Sequence, residues 1–598
     1  MTIDAETLCG AFQKTAAIAP EAIALRTVGG AQALTWNEYR QRVRAIAGGL
    51  TSLGVRRGDT VALLLTNRPE FNLVDTAAMH LGATPYSIYN TLAPEQITYL
   101  LESADSRVVV TEAQYVDRIV KAGGSVEHVV VVDAPDGDPA GLAALETTEP
   151  EDFDFEATWR AVTADDILTL IYTSGTTGNP KGVELTHAGM IAQLTGLDEV
   201  AEIRFGDRSL SYLPAAHIAE RLSTHYVQLV RGAEITAVAD VSLLLPALLD
   251  VRPTYWAGVP RVWEKLKVAL EAGLAQASGP EAEVVGRAIE LGYRNISGDL
   301  SAEEQVEYAE LDRLVLSRVR AKLGFDELRW GLCGAAPIAT ETLEFFMAIG
   351  IRALEIWGMS ESGGAATINP LHAPRPGTVG TPVPGVEIKV ADDGELLIRG
   401  VTVMRGYRGE PEKTAAALIG DGWLATGDIG TIDEEGYVRI VDRKKELIIN
   451  AGGKNMSPAN IERAAKGQAP LIGQVVAIGD LRPYNTALVA LDPDAAAAYA
   501  EKCGLADASA AALAEYPAVV EAVAASIAEG NQRLSRIEQI KRFSIVPSYW
   551  EPGTEELTPT MKLKRKPIAV KYADQIDRMY AVVPGGGVYE VEPPPAER

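Results

Sequence analysis

Ten residues that directly follow the apolar run 167–172 constrain this chain more than any others. Residues 173–182 read Thr-Ser-Gly-Thr-Thr-Gly-Asn-Pro-Lys-Gly. The apolar run predicts a buried strand. The Gly- and Thr-rich stretch predicts a loop in which free backbone N–H groups, hydroxyls and the Lys181 cation converge on an anion. A strand that leads into a phosphate-binding loop and then into a helix indicates that the chain handles a nucleotide.

The same ten residues argue against the commonest phosphate loop. A Walker A loop has Gly directly before its Lys and Ser or Thr directly after it, whereas Lys181 lies between Pro180 and Gly182. A P-loop nucleoside triphosphatase is therefore disfavoured. The alternative that binds nothing is a Gly- and Thr-rich surface turn, and the order strand, loop, helix makes it the weaker interpretation.

Length and charge narrow the class of protein. At 598 residues the chain is too long for one hydrophobic core, so at least two domains are expected. Its 81 acidic residues outnumber 55 basic residues, for a formal charge of −26, which argues against a nucleic-acid partner and against electrostatic docking on anionic lipid. Cys9, Cys333 and Cys503 form no CxxC pair and predict neither a disulfide framework nor a zinc site. No leader pattern or bilayer-length apolar run occurs, so we expect a cytoplasmic protein whose membrane contact, if any, is peripheral.

Apolar spacing predicts layered α/β structure in the first several hundred residues. Thr35 and Glu38 form a capping-box pattern before a helical repeat of apolar residues. That repeat consists of Tyr39, Val43, Ile46 and Leu50. Short, nearly continuous apolar runs at 61–65, 108–110 and 129–132 are typical of buried parallel strands between helices. Residues 266–323 predict a helical insertion.

A second, smaller domain is predicted after the polar segment 442–446. A helix is expected to open at Ile461, and strands are expected at three later places. These are residues 474–478, 487–491 and 543–546. We therefore divide the chain into a large domain, residues 1–441, a small α+β domain, residues 442–582, and a Gly-, Pro- and Glu-rich tail, residues 583–598, which is expected to be disordered.

Residues 173–182 resemble the phosphate loop of the adenylate-forming superfamily, which includes acyl-CoA synthetases, peptide-synthetase adenylation domains and firefly luciferase. Further matching motifs follow in the family's order over nearly the whole chain. They are residues 331–337, 355–362, 422–428, 443–445 and 557–562. The resemblance implies an α/β fold with a large N-terminal adenylate-forming domain of layered sheets and a small, mobile α+β C-terminal domain that acts as a lid.

The resemblance also assigns an ATP site. Its positions are Thr173, Ser174, Gly175, Thr176, Thr177, Gly178, Lys181, Gly334, Ala335, Ala336, Trp357, Gly358, Ser360, Asp428 and Arg443. In the family an aromatic ring, here Trp357 instead of the usual Tyr, lies on the adenine, and the positions of Asp428 and Arg443 contact the ribose. A carboxylate can accept hydrogen bonds from both ribose hydroxyls. The resemblance also makes Glu361 the counterpart of the family's Mg²⁺-binding carboxylate. This agrees with its chemistry, because a carboxylate beside phosphates needs a cation between them.

The family's catalytic lysine corresponds to Lys562, although Met561 replaces the more frequent Gly before it and two further lysines follow closely. Lys445 corresponds to the hinge about which the small domain turns. Segments 212–221 and 255–266 resemble the long-chain and very-long-chain branch, near the bubblegum-type enzymes. There His217 would lie close to the acyl carboxylate, whereas a lone His is more often structural. The implied catalytic residues are Lys562, Lys181, Glu361 and His217.

Three functions remain open at this stage. The first is a long-chain fatty acid–CoA ligase that uses ATP, Mg²⁺ and CoA and passes through an acyl-adenylate. The second is a fatty acyl-AMP ligase that hands its adenylate to a carrier protein. The third is a non-catalytic nucleotide- or acyl-binding module, which is disfavoured because all five charged site positions are present. These are Lys181, Glu361, Asp428, Arg443 and Lys562.

Overall fold

The computed structural model describes residues 4–173, 179–276, 278–450, 455–467, 469–558 and 561–591. The three short apolar runs of the sequence, 61–65, 108–110 and 129–132, form neighbouring parallel strands, as predicted. The complete sheet has the order Thr84–Ser87, Thr60–Leu64, Val108–Thr111, His128–Val131. All of its pairings are parallel. Short runs of β-branched residues favour such strands because helices cover both faces of the sheet.

Two further sheets complete the layers of the large domain. One has the order Ala33–Thr35, Ile23–Thr27, Glu234–Ala237, Arg208–Ser211. The other has the order Tyr255–Gly258, Trp330–Gly334, Ala353–Trp357, Thr367–Ile368, Thr381–Pro382. The first three strands of the second sheet are parallel, so the carboxyl ends of its central strands, Gly334 and Trp357, lie at one edge. Ligands of open α/β sheets bind at such an edge.

Antiparallel sheets flank these layers. The three-stranded sheet contains Gly406–Tyr407, Lys181–Thr186 and Ile167–Thr173. The five-stranded sheet contains Val386–Val390, Glu395–Gly400, Trp423–Ile432, Leu418–Ile419 and Val438–Arg443. The last of these strands, Val438–Arg443, runs into the polar segment 442–446. Asp442 and Arg443 therefore belong to a strand, and the polar break begins only after them.

The small domain has its own sheet and its own buried core. The sheet has the order Ile472–Ile478, Asn485–Leu491, Ile540–Ile545, Tyr589–Glu590. A two-stranded pair, Ile448–Ile449 with Asn455–Met456, precedes it. The predicted strands in this region are confirmed. The predicted helix begins earlier than Ile461: it spans Pro458–Lys466, and the Ser457 hydroxyl caps it by accepting from the Asn460 N–H.

Helices surround the sheets. The α-helices are Leu8–Ile18, Trp36–Ser52, Pro69–His80, Pro94–Ala104, Val116–Ala122, Leu142–Leu145, Phe155–Arg160, His187–Val200, Ile218–Glu220, Val227–Arg231, Leu244–Val251, Pro260–Leu274, Pro280–Ser297, Ala302–Leu311, Ser317–Ala321, Thr340–Ala348, Pro411–Ala417, Pro458–Lys466, Pro493–Cys503, Ala510–Ala514, Pro517–Gln532, Arg565–Lys571 and Ala573–Tyr580. Arg221–Tyr226 and Asp312–Leu316 are π-helical. The predicted capping box of Thr35 and Glu38 and the predicted helical insertion are both confirmed. Within the described residues, none of these helices combines the length and the apolar character needed to cross a bilayer.

The structure differs from the sequence prediction at the end of the phosphate loop. A second strand, Lys181–Thr186, follows the loop and pairs antiparallel with Ile167–Thr173, so the order is strand, loop, strand, helix. Val183 and Leu185 are buried in this strand. The helix begins only at His187. Lys181 is therefore held on a strand, opposite Thr173.

The structure also differs from the disordered tail expected from residue 583. Tyr589–Glu590 pairs with the strand Ile540–Ile545. The Tyr589 ring lies 5.3 Å from the Phe543 ring, between centroids, and Val591 is buried. One aromatic and one β-branched residue thus anchor a segment whose average composition predicted disorder. The rest of the predicted tail, 592–598, lies outside the described residues.

Candidate active site

A cavity of about 1900 Å³ lies between the large domain and the small domain. Many of the sequence-predicted site residues line it. These are Thr173, Lys181, His217, Gly334, Ala335, Gly358, Ser360, Glu361, Arg443, Lys445 and Lys562. Ala336 is exposed and does not line the cavity. The predicted positions Ser174, Gly175, Thr176, Thr177 and Gly178 lie outside the described residues.

Trp357, Asp428 and Arg443 form one hydrogen-bonded group, here called the ribose cluster after the contact that the family resemblance predicts for Asp428 and Arg443. Asp428 and Arg443 are opposite each other on neighbouring antiparallel strands. Arg443 Nε lies 2.7 Å from Asp428 Oδ1, and Trp357 Nε1 donates to Asp428 Oδ2 at 2.8 Å. Burial raises the pKa of the Asp428 carboxyl, and Arg443 opposes that rise. The substitution of Trp for the family's usual Tyr thus supplies a hydrogen bond that the sequence did not predict.

Replacement of Trp357 by phenylalanine tests this hydrogen bond. We expect the KM for ATP to rise about tenfold, because a hydrogen bond to a charged group contributes roughly 1.5–3 kcal/mol, while phenylalanine keeps an aromatic ring for the predicted stacking on the base. The measurement is steady-state pyrophosphate release as a function of ATP concentration. Trp357→Tyr is the matched control, since it keeps both a ring and a donor and should stay near the wild-type value. Equal KM values for Trp357→Phe and the wild type would show that the hydrogen bond does not contribute.

Lys181, Tyr407 and Glu361 lie together in the wall of the cavity. Lys181 Nζ is 3.9 Å from the centroid of the Tyr407 ring. The Tyr407 hydroxyl donates to Glu361 Oε1 at 2.8 Å. Burial lowers the pKa of the Lys181 ammonium, and the nearby Glu361 carboxylate opposes that effect. The three side chains place a cation and an oriented carboxylate next to the loop that was predicted to bind phosphate.

Sequence reasoning missed Tyr407. This residue belongs to a two-residue strand that pairs with Lys181–Thr186, with Tyr407 opposite Val183. No motif marks it in the sequence, and only the pairing of two segments more than two hundred residues apart brings it beside Lys181. An alternation signal cannot be read from a strand of two residues.

Small residues determine the backbone of the loop that begins at Gly334 and is predicted to face the adenine. Gly334 ends the strand Trp330–Gly334, and a Cβ there would lie 2.8 Å from the Ile356 carbonyl oxygen, so a larger residue would not fit without a shift. Ala335 has a φ of +70°, a left-handed conformation that is uncommon for residues other than glycine. The loop therefore brings backbone close to the cavity at some conformational cost.

Lys562 lies on a short loop closed by a bridge between Leu557 and Leu563. The Lys562 N–H donates to Thr558 Oγ1 at 2.9 Å. Met561, which replaces the family's more frequent Gly, has a φ of +66°, which explains why Gly suits this position. Desolvation by the cavity walls, and then the Arg443 charge, lower the pKa of the Lys562 ammonium, whereas Asp428 and Glu361 raise it. Lys562 is thus within electrostatic reach of the Asp428–Arg443 pair and of Glu361.

The neighbouring lysine has a different environment. Lys564 Nζ donates to the Thr554 carbonyl oxygen at 2.7 Å, within the small domain. Its backbone N–H donates to the Glu556 carbonyl oxygen at 2.8 Å. These contacts favour Lys562 over Lys564 as the lysine that acts on a substrate.

His217 caps a short helix at the cavity wall. Its Nδ1 accepts from the Ala219 N–H at 3.1 Å. Burial, with a smaller contribution from Lys562, lowers the pKa of His217 to about 3, so the ring is neutral near pH 7. Because Nδ1 accepts, the single proton is on Nε2, which can donate to an oxygen atom.

Ion pairs hold the small domain against the helix Pro260–Leu274. Lys466 Nζ lies 2.9 Å from Glu264 Oε2, and Lys265 Nζ lies 2.6 Å from Asp494 Oδ2. Arg261 pairs with Asp492. The motif 255–266, which indicated the substrate branch, therefore also forms the surface on which the small domain rests while Lys562 faces the cavity.

Lys445, the predicted hinge residue, lies between a lysine and a glutamate that contact different domains, and its role as a hinge stays a prediction. Lys445 lines the cavity and lowers the pKa of Lys181 by charge repulsion. Its neighbour Lys444 pairs with Asp393 and Glu395 of the large domain, at 2.6 Å and 2.8 Å. Glu446, by contrast, pairs with Arg565 of the small domain at 3.0 Å. Contacts thus change from one domain to the other across Lys445.

Among the described residues, no group of three or more His, Cys, Asp or Glu side chains is arranged to hold a metal ion. Glu361 is a single carboxylate that lines the cavity, which suits an ion that arrives with phosphate oxygens as its other ligands.

A two-domain arrangement with a nucleotide cavity, a ribose cluster and a lysine brought in by the smaller domain defines an AMP-binding enzyme. The chain belongs to the AMP-binding enzyme family: the family's sequence pattern matches residues 12–408, and the pattern of its C-terminal domain matches residues 445–583. The predicted family and fold are confirmed.

Relatives and solved structures agree with this assignment. A putative fatty-acid–CoA ligase, FadD11 of Mycobacterium tuberculosis, is 54% identical over 444 residues, 73% of this chain and 78% of the relative. The long-chain-fatty-acid–CoA ligase FadD15 of Mycobacterium bovis is 35% identical over 556 residues, 92% of each chain. The crystal structure of ATP-bound MatB from Rhodopseudomonas palustris has a TM-score of 0.71 at 22% identity, covers 95% of this chain and 99% of its own, and shows the fold alone.

Proposed function

We propose that the protein is a long-chain fatty acid–CoA ligase. It uses ATP to convert a fatty acid into an acyl-adenylate with release of pyrophosphate, and it then forms the CoA thioester with release of AMP. The observation that carries this proposal is that Lys562, Lys181 and Glu361 line one cavity together with Arg443 of the ribose cluster. Many of the other residues that line this cavity are apolar. The names of the relatives support the same activity.

The first half-reaction needs positive charge and orientation. A fatty acid carboxylate that attacks the α-phosphate of ATP meets negative charge, and the pyrophosphate that leaves carries more. Lys562 would contact the attacking carboxylate and the α-phosphate together. Lys181 would hold the outer phosphates. The ribose cluster would fix the sugar, so that the α-phosphate lies at Lys562.

Magnesium would come with the ATP, and it would offset phosphate charge when bound. Glu361 is the residue that would hold it, because its carboxylate faces the cavity and the Tyr407 hydroxyl orients Oε1. His217 Nε2–H would donate to an oxygen of the acyl carboxylate, which fixes the acyl end of the attacking group.

The second half-reaction needs a different arrangement of the domains. CoA attack on the adenylate requires that Lys562 leave the space beside the α-phosphate. Rotation about Lys445 would move the small domain, and the ion pairs on the helix Pro260–Leu274 would break in that movement. Each exposed pair contributes only about 0–1 kcal/mol, so they favour one orientation without locking it.

Replacement of Glu361 by glutamine tests the magnesium proposal. We expect the Mg²⁺ concentration for half-maximal adenylation to rise by roughly tenfold or more, because the amide keeps the shape of the side chain but loses the anionic oxygen that Mg²⁺ prefers. The measurement is pyrophosphate release across a Mg²⁺ titration at fixed ATP. Glu412→Gln, an exposed residue on the helix Pro411–Ala417, is the control and should not change the titration. An unchanged titration in Glu361→Gln would remove this residue from the metal site.

Mass spectrometry of reaction products tests the whole proposal. Purified protein would be incubated with ATP, Mg²⁺, CoA and fatty acids from short to very long. Acyl-CoA with AMP is the expected result. Acyl-AMP without acyl-CoA would instead support a ligase that loads a carrier protein, and no product from any acid would overturn the proposal in favour of a binding module.

A further inference from the structure

The cavity continues from the nucleotide site along one face of a helical run. Consecutive helical segments Ile218–Glu220, Arg221–Tyr226 and Val227–Arg231 begin next to His217. Their cavity-lining residues recur every four or five positions, so they share one face. They are Ile218, Ala219, Leu222, Ser223, Val227 and Arg231. The face is mostly apolar, and its last member is a cation.

A second helix supplies another part of the cavity wall and carries a charge in its last turn. His187–Val200 contributes Leu194, Leu197 and Asp198 to the cavity, and Ala201 and Ile203 continue the wall beyond its end. Arg231 and Asp198 form an ion pair, with a nitrogen-to-oxygen distance of 2.5 Å, and their side chains are only 7% and 21% exposed. The Ile203 N–H donates to Asp198 Oδ1 at 3.3 Å. Each of the two mostly apolar walls therefore contributes one member of this ion pair.

The helical geometry gives the approximate distance from Ile218, next to His217, to Arg231. Thirteen residues separate Ile218 from Arg231. At about 1.5 Å per residue, and slightly less through the π-helical part, this corresponds to roughly 15–20 Å. An extended chain advances by about 3.5 Å for every three bonds, so a length of roughly 15–20 Å corresponds to roughly 13–17 bonds. A saturated acyl chain of that length would reach the ion pair.

We propose, on the basis of the proposed function, that the Arg231–Asp198 pair closes the far end of the acyl channel and sets the chain length of the substrate. A longer chain would press its methyl end on a nearly buried ion pair or separate it, and uncompensated desolvation of either charge is costly. A chain of fitting length that ends in a hydroxyl can form a hydrogen bond to the pair. The preferred class is thus an unbranched acid of about sixteen carbons, and its ω-hydroxy counterpart is tolerated.

The test is a variant in which apolar side chains of similar size replace both charges, D198L with R231M. Changing both residues avoids an isolated buried charge and is compatible with folding. We measure kcat/KM for saturated acids of ten to twenty-four carbons and for ω-hydroxyhexadecanoic acid. The control is E202Q with R204Q, an exposed ion pair nearby.

In the wild type and the control, kcat/KM should fall beyond about eighteen carbons. In D198L with R231M, the ratio of kcat/KM for a twenty-two-carbon acid to that for hexadecanoic acid should rise about tenfold, since each extra methylene then gains a place in an apolar channel. The ratio for the ω-hydroxy acid to hexadecanoic acid should fall by a similar factor. Chain-length and ω-hydroxy ratios equal to those of the wild type would overturn the proposal.

A binding measurement separates this proposal from the proposed function. Calorimetric titration of the same acids into the wild type and the variant, without ATP, measures the binding of each acid separately from the reaction. If the wild type makes no acyl-CoA, the proposed function fails, and the chain-length dependence of binding still decides the role of the ion pair. A shift of the optimum towards longer acids in the variant would support it, and identical binding profiles would refute it.

Discussion

Replacement of Lys562 by alanine is expected to lower the rate of acyl-adenylate formation by roughly 10²–10³-fold or more, because the charge that neutralises both reacting anions is lost. Thioester formation from supplied acyl-AMP and CoA should be kept, because that step takes place after the lysine has left the site. The two half-reactions are measured separately, as pyrophosphate release and as acyl-CoA formation from synthetic acyl-AMP.

Lys564→Ala is the matched control for Lys562. It removes a lysine two residues away whose ammonium binds the Thr554 carbonyl oxygen, so both half-reactions should stay within about tenfold of the wild type. The reverse pattern, with adenylation lost in Lys564→Ala and kept in Lys562→Ala, would mean that the catalytic lysine is Lys564, two residues after the position assigned to it. Loss of both half-reactions in Lys562→Ala would contradict the proposed rotation of the small domain.

The present arrangement of the two domains fits the first half-reaction. Lys562 lowers the pKa of His217, and Asp428 and Glu361 raise the pKa of Lys562, so this one side chain interacts electrostatically with all three of the residues proposed to hold the acyl carboxylate, the ribose and Mg²⁺. The pairs Glu264–Lys466 and Lys265–Asp494 hold the small domain in that orientation. High salt should screen them and so favour the other orientation.

Much of the site could be predicted from sequence because its residues occur in continuous motifs. Asp428 and Arg443, for example, each belong to a recognisable motif, and the antiparallel pairing of their strands then brings them together. Runs such as 108–110 predict buried parallel strands because they are β-branched and uninterrupted. Local signals of this kind do not depend on the rest of the fold.

Other features depend on contacts between distant segments and have no local signal. Tyr407 reaches Glu361 only because a two-residue strand pairs with Lys181–Thr186. The Arg231–Asp198 pair joins the ends of two helices, and each residue alone is typical of a solvated helix end. Tyr589 is ordered because its partner strand is available, in a tail whose composition predicts disorder.

Replacement of Asp428 by asparagine should raise the KM for ATP by roughly 10²-fold. The asparagine amide cannot accept hydrogen bonds from both ribose hydroxyls and also from the Arg443 and Trp357 side chains. Hydrogen bonds to a charged acceptor contribute about 1.5–3 kcal/mol each. The effect should appear mainly in KM, since the ribose cluster binds the ground state and the transition state alike. Steady-state pyrophosphate release gives both constants. Asp421→Asn, an exposed carboxylate in the turn before Trp423, is the control and should leave both unchanged.

The pH dependence gives an independent test of the same carboxylate. Burial raises the pKa of Asp428, so the ionised form that accepts hydrogen bonds is lost at a higher pH than for an ordinary aspartate. In the wild type, KM for ATP should therefore rise as the pH falls through the acid range. Asp428→Asn has no group to protonate, so its KM should rise less over the same range, and the ratio of the two KM values cancels the titration of ATP itself. If the ratio of the two KM values does not change with pH, Asp428 is not the group that binds the ribose in its ionised form. If the KM of Trp357→Phe is then also unchanged, the ribose contact lies elsewhere in the cavity.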